Sequence, residues 1–157
     1  MKPILSPVRI LYLSADPHKI TAQLRGEVLA LSSAQPLRND ISTDEITPIP
    51  ALAYYDDRLG SFAWTGLKCA NENPIGKNAI INAGINVVVG GLRYGKGSSR
   101  EHSPVAEKAA GIQLVIAESF ERIYRQNADN IGLLTSTDMG LATRLARGES
   151  VTLEEII

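Results

Sequence analysis

The chain has 157 residues, 44% hydrophobic and 21% charged, and its 16 basic and 17 acidic side chains leave a formal net charge of -1. That is the length of one domain, with enough apolar content for a core. The charge balance argues against nucleic-acid binding as the main role, which would leave an electropositive footprint. Cys69 is the sole cysteine, so there is no internal disulfide and no multi-cysteine metal or iron–sulfur site on this chain alone; with only two histidines, no zinc site is expected either. The start of the chain lacks a long apolar leader, and no 18-residue apolar run follows, so a cytoplasmic protein with no membrane partner is expected.

In chain order, residues 9–13 and 23–31 read as strands, with Gly26 marking a bulge or close approach in the second. Pro36, Pro48 and Pro50 break helical patterns in the polar stretch that follows. Residues 51–59 suit a short helix, and 71–78 are turn-like. Residues 85–89 form a buried-strand candidate rich in β-branched side chains, with Asn86 at its start. A helix is predicted over 104–111, because Ser103-Pro104 makes a cap and first-turn pair. A single turn over 98–102 precedes it, since Ser98 and Glu101 have capping-box spacing. A strand over 113–117, a helix over 119–130 and a helix over 139–146 follow. Residues 151–157 read as an edge strand or a loosely docked tail. Alternating strands and helices in the second half predict an α/β fold, with extra strands contributed by the first half. The chain divides into a strand-bearing or extended N-terminal region (1–25), a motif-bearing core (26–134) and a C-terminal helix and tail (135–157), all one domain.

The segment from Gly90 to Pro104 carries the chemistry. It contains Gly90, Gly91, Gly95 and Gly97, Ser98, Ser99 and Ser103, and the cations Arg93, Lys96 and Arg100. A glycine-rich loop between a strand and a helix brings backbone N–H groups toward an anion, and the helix start adds positive potential. Arg100 has the fork that grips a carboxylate with two parallel bonds. The set suits a small polycarboxylate or a phosphate. Nucleotide loops fit imperfectly: the Walker pattern needs Ser or Thr where Gly97 stands, and the Rossmann pattern needs glycine where Arg100 stands. A plain tight turn with a serine cap would use the glycines but leave Arg100 on the surface.

Other side chains carry two readings each. His102 is a base at the helix start or a packed, hydrogen-bonded histidine. Asp44 orients a cation across the site or caps a turn. Arg58 binds substrate or pairs with Asp56 and Asp57. Cys69 reads as a small packed residue, and His18 as surface turn material.

The run Tyr94-Gly95-Lys96-Gly97-Ser98-Ser99-Arg100-Glu101-His102-Ser103-Pro104 resembles the swivelling domain of the aconitase superfamily, whose free-standing version is the small subunit of isopropylmalate isomerase and related hydro-lyases. Residues 39–48, 115–124 and 127–134 carry the resemblance further, from about Gly26 to the C-terminus. It implies a β/β/α swivelling domain that closes over a large partner subunit carrying a [4Fe–4S] cluster, which acts as a Lewis acid on a small di- or tricarboxylate. By the same match Ser98 is the base, Ser99 and Arg100 hold a substrate carboxylate, and Asp44 lines the site. Gly95, Gly97 and His102 support the loop. Lys96 stands where many small subunits have cysteine, a departure expected to alter the side of the substrate pocket. Arg58 lies in the region of a further carboxylate-binding arginine of aconitase. The activity implied is elimination, with or without return, of water on a substituted malate. The alternatives are a non-catalytic carboxylate-binding or regulatory homologue, or a dimethylmalate-, citramalate- or aconitate-type dehydratase subunit.

Overall fold

Four short parallel strands form the sheet: β1 (Ile10–Tyr12), β2 (Val87–Gly90), β3 (Leu114–Ala117) and β4 (Leu134–Ser136), adjacent in that order. The computed structural model describes residues 8–48, 51, 57–97, 101–149 and 151–156. The two central strands are buried along their whole length, which is why they read as continuous apolar runs rather than as alternations. Successive side chains still point to opposite faces. Leu11, Val88, Val115 and Ala117 enter one core; Tyr12, Val87, Val89, Leu114 and Ile116 enter another.

Helices cover both faces, as a parallel sheet requires. On the first face, α1 (Pro17–Leu24) contributes Ile20 and α4 (Ala79–Ala83) contributes Ile80. The two crossover helices lie there too: Ala110, which caps α5 (His102–Ala109), and Tyr124 and Ala128 of α6 (Arg122–Asn130) join the same core. On the second face lie α2 (Leu31–Ala34), α7 (Met139–Ala146) and α8 (Leu153–Ile156). The remaining elements are α3 (Thr43–Ile46) and a 3-10 helix (Asp57–Phe62). The latter packs so tightly on α5 that a Cβ at Gly60 would come within 2.7 Å of the Ala109 backbone.

Strands 9–13, 85–89 and 113–117 and the helix over 139–146 are found within two residues of their expected bounds. The expected strand over 23–31 is not formed. Asp16 accepts a bond from the His18 N–H, Pro17 opens α1, and the helix runs to Leu24. Gln23, the first residue of the expected strand, is buried against β1: its Oε1 accepts from Tyr12 N at 2.8 Å, and its Nε2 donates to Tyr12 O at 2.9 Å. The C-terminal tail is a docked helix rather than an edge strand or a loose end. Val151 and Ile156 are buried, and Arg144 pairs with Glu155 at 2.7 Å. The helix expected from Ser119 starts at Arg122, because residues 119–121 are held extended by the loop after β2. The helix expected from Pro104 starts at His102. Pro104 sits in its first turn, where N–H groups lack intrahelical partners in any case. Of the helix expected over 51–59, residues 52–56 lie outside the described residues; 57–62 are 3-10.

Candidate functional site

The loop leaving β2 lies at the carboxyl ends of the strands, where open α/β sheets bind ligands. It threads between residues 38–43 and residues 119–121. On one side Gly91 N donates to Arg38 O (2.9 Å), Asp40 N to Leu92 O (2.8 Å), and Gly95 N and Lys96 N to Ile41 O (2.8 and 3.1 Å). On the other, Tyr94 N donates to Ser119 O (3.0 Å) and Glu121 N to Tyr94 O (2.9 Å). Gly95 has φ +88, and a Cβ there would fall on Cβ and Cγ of Tyr124. Only glycine meets both demands.

Ser98, Ser99 and Arg100 lie outside the described residues, but both of their flanks are anchored on the same short helix. Before them, Thr43 N donates to Lys96 O at 2.9 Å. After them, Ser103 Oγ donates to Thr43 O at 3.3 Å and lies 2.8 Å from Thr47 Oγ1. Asp44 follows Thr43, exposed in the first turn of α3. That helix is fixed by a complete capping box between Ser42 and Glu45. Arg38 grips the Glu45 carboxylate with two bonds of 2.9 Å and also donates to Lys68 O. The fold therefore brings Lys96 and Gly97 on one flank, and His102 on the other, to the start of α3, where Asp44 lies. His102 is the first residue of α5 and half-buried. Arg58 is exposed on the 3-10 helix, next to Leu59, which packs on Ala106 of α5.

Lys96 has a neighbour that spacing did not suggest. Its Nζ lies 3.6 Å from Asp40, which is also held by Arg93 at 2.5 and 2.9 Å. The Arg93 hydrogen bonds hold the Asp40 carboxyl down at about 2. Both Asp40 and Arg93 adopt left-handed backbone conformations (φ 55 and 56), which aim their side chains at each other beside the loop.

Beneath the loop lies a buried polar hub that sequence reading missed. The Tyr94 hydroxyl donates to Glu107 Oε2 (2.7 Å) and accepts from Trp64 Nε1 (3.2 Å); the Tyr124 hydroxyl lies 2.5 Å from Glu107 Oε1. One signal was available. Ser103, Ala106, Glu107 and Ala110 are all buried and follow i, i+3, i+4, i+7 spacing, so Glu107 falls on the inward stripe of α5. Burial drives its carboxyl up to about 8, against the pull of the two tyrosine bonds. The folded protein thus keeps a proton that the unfolded chain, near 4.5, gives up. Stability is fully present at low pH and falls as pH rises from about 4.5 to about 8, by a few kcal/mol at most. Denaturant titrations at pH 5 and pH 8 should show this loss in the wild type. Glu107→Gln, which has no proton to lose there, should largely abolish it.

The described residues contain no group of three metal-ligating side chains. Cys69 is buried and its Sγ donates to Ser14 O at 3.3 Å, so it packs as expected. Among the described residues, no helix is long and apolar enough to cross a membrane.

Residues 77–137, from the approach to β2 through β4, match the Aconitase C-terminal domain family. The isopropylmalate/citramalate isomerase small subunit of Methanocaldococcus jannaschii is 36% identical over 114 residues, which cover 72% of this chain and 64% of that one. A crystal structure of 3-isopropylmalate dehydratase from the same organism superposes with a TM-score of 0.50 at 39% identity, covering 62% of this chain and 55% of that one. The chain therefore spans somewhat less than two thirds of the length of these two relatives. The 3-isopropylmalate dehydratase small subunit of Nitratidesulfovibrio vulgaris is 34% identical over 123 residues, 78% of this chain and 70% of the relative. With more than two thirds of a small subunit aligned at that identity, the chain belongs to the 3-isopropylmalate dehydratase small-subunit family of aconitase-like proteins.

Proposed function

We propose that this chain is one half of a hydro-lyase or isomerase that removes water from, and returns it to, a 2- or 3-substituted malate such as isopropylmalate. The observation that carries the reading is the double anchoring on Thr43. Thr43 N donates to Lys96 O and Thr43 O accepts from Ser103 Oγ, so the residues on either side of 98–100 meet at the start of α3, beside Asp44. A serine base, a carboxylate-binding arginine and an aspartate would then share one small space.

In this reading Ser98 removes the proton beside a substrate carboxylate. A free serine hydroxyl is a poor base, and only a site rich in donors and positive charge makes its alkoxide accessible. Arg100 supplies that charge and, with Ser99, clamps the carboxylate. Gly95 and Gly97 let the backbone approach, and His102 supports the loop at the start of α5. Lys96 and Arg58 extend the site toward a further acidic group of the substrate. This chain's residues do not fit an iron–sulfur cluster: its one cysteine is buried and bonded to Ser14. A [4Fe–4S] cluster would be held by a large aconitase-like partner, where its chemistry is that of a Lewis acid on the substrate hydroxyl. The reading places the pair in the cytoplasm, as a heteromer of leucine biosynthesis, with no role for nucleic acid or membrane.

Co-purification with the cysteine-rich large subunit, anaerobic cluster reconstitution and a screen of citrate, citramalate, isopropylmalate and dimethylmalate tests this. Water elimination only in the complex supports it; full activity of the isolated chain defeats it. Arg100→Lys should raise KM by about 10- to 100-fold with a smaller change in kcat, because lysine keeps the charge but not the paired bonds. Steady-state kinetics of the complex measure the split.

A further inference from the structure

The hub beneath the loop touches no substrate in the reading above, yet it joins the loop's two feet. Tyr94 is the residue before Gly95, on the strand side. Glu107 lies in α5, on the helix side, and the two meet at 2.7 Å. Tyr124 closes the triangle from α6. Its hydroxyl is on Glu107, its ring meets the edge of Tyr94 at 5.2 Å, and its Cβ fills the space beside Gly95. All three side chains are buried. Close packing of this kind passes a displacement on rather than absorbing it.

We propose that Glu107 is a positioning residue: by holding Tyr94 and Tyr124 it sets the separation of the loop's two described feet, at Tyr94–Gly97 and at the start of α5, on which turnover by the intervening residues depends. The proposal rests on the reading of those residues as catalytic. An apolar side chain would fill the same space but leave the Tyr94 and Tyr124 hydroxyls without this acceptor. The carboxyl is also sensitive to its own charge. The titratable groups facing it are Tyr94 from the loop and Tyr124 from α6, and burial raises both phenols well above 10, so both stay neutral. Trp64 reaches it through Tyr94, and within the hub the charge of Glu45 is felt at Tyr94. No cation among the described residues pairs with Glu107, so its ionised form is uncompensated. Ionisation on the alkaline side would put that charge in a dry site and so favour opening of the hub to water, although the two hydroxyls hold a carboxylate more strongly.

The test compares Glu107→Met and Glu107→Gln in the reconstituted complex. Glu107→Met should lower kcat about tenfold or more with KM little changed, since small misplacements of catalytic groups act on the transition state. Glu107→Gln, which keeps a donor and an acceptor, should restore kcat at pH 7 and lose the wild-type fall in rate on the alkaline side. Amide exchange over residues 95–102 should quicken in Glu107→Met. Where Glu107→Met does not assemble, the pH profile of Glu107→Gln decides: an alkaline limb like the wild type's overturns the proposal. Unchanged exchange in folded Glu107→Met also overturns it. Faster exchange with wild-type kcat also overturns it, because the tie then does not set turnover; the catalytic reading of the loop is decided separately by Ser98→Ala.

Discussion

Ser98→Ala is expected to lower turnover of the reconstituted complex by about 10²- to 10⁴-fold, the range that a positioned general base supplies. Association with the large subunit should be preserved. The substitution removes one oxygen and leaves a backbone-compatible side chain, so the loop's anchors at Thr43 and at Tyr94 are untouched. Substrate affinity should hold as well, because Arg100 and Ser99 remain. This pattern separates an enzyme subunit from a carboxylate-binding or regulatory module, which needs the arginine but not the hydroxyl. Rates of water elimination and the affinity of the two subunits, measured on the same preparation, provide the check. Near-normal turnover would remove Ser98 from its role as base.

The second large effect is structural. Gly95→Ala should destabilise the protein by about 2–4 kcal/mol, from a left-handed backbone (φ +88) and a forced displacement of the Tyr124 side chain. Domains of this size have about 5–15 kcal/mol in total, so the variant should unfold at clearly lower denaturant and temperature. Tyr124 cannot retreat freely, since its hydroxyl is on Glu107 and its ring stacks on Phe120 at 5.9 Å. A midpoint equal to that of the wild type would show that the loop can leave Tyr124 without loss, contrary to the packing described.

The central strands and the motif loop were legible because their signals are local. Val87, Val88 and Val89 have no comfortable place but a buried strand, and glycines between such a strand and a helix announce a close approach. Residues 23–31 misled because the deciding facts are tertiary. Gln23 reads as the first residue of a strand, whereas it is a helical residue drawn inward by the backbone of Tyr12. Asp40 and Arg93 are 53 residues apart in sequence, and their pairing depends on how the chain folds back beside β2. Glu107 carried a periodicity signal, but its charge points to solvent until a pair of tyrosines from separate elements is known to meet it. Asp44 needed both the resemblance and the fold, since its sequence setting suits an ordinary turn as well as a site.

The contact between Gln23 and Tyr12 has a consequence for how this chain can meet others. Arg9 O and Leu13 N, on either side of β1, bond to β2, whereas both peptide groups of Tyr12 are turned to Gln23 of α1. Bare outward peptide groups on a border strand invite another chain to add itself, the usual route to unwanted association. The Gln23 amide turns one N–H and its carbonyl oxygen toward Tyr12 in the arrangement of a peptide bond, while its nitrogen also donates to Lys19 O at 3.1 Å, and it occupies both Tyr12 groups as a neighbouring strand would. The sheet is thus sealed at this point by a side chain. A second chain cannot pair its backbone with Tyr12 without first displacing Gln23, because the main-chain positions there are already taken.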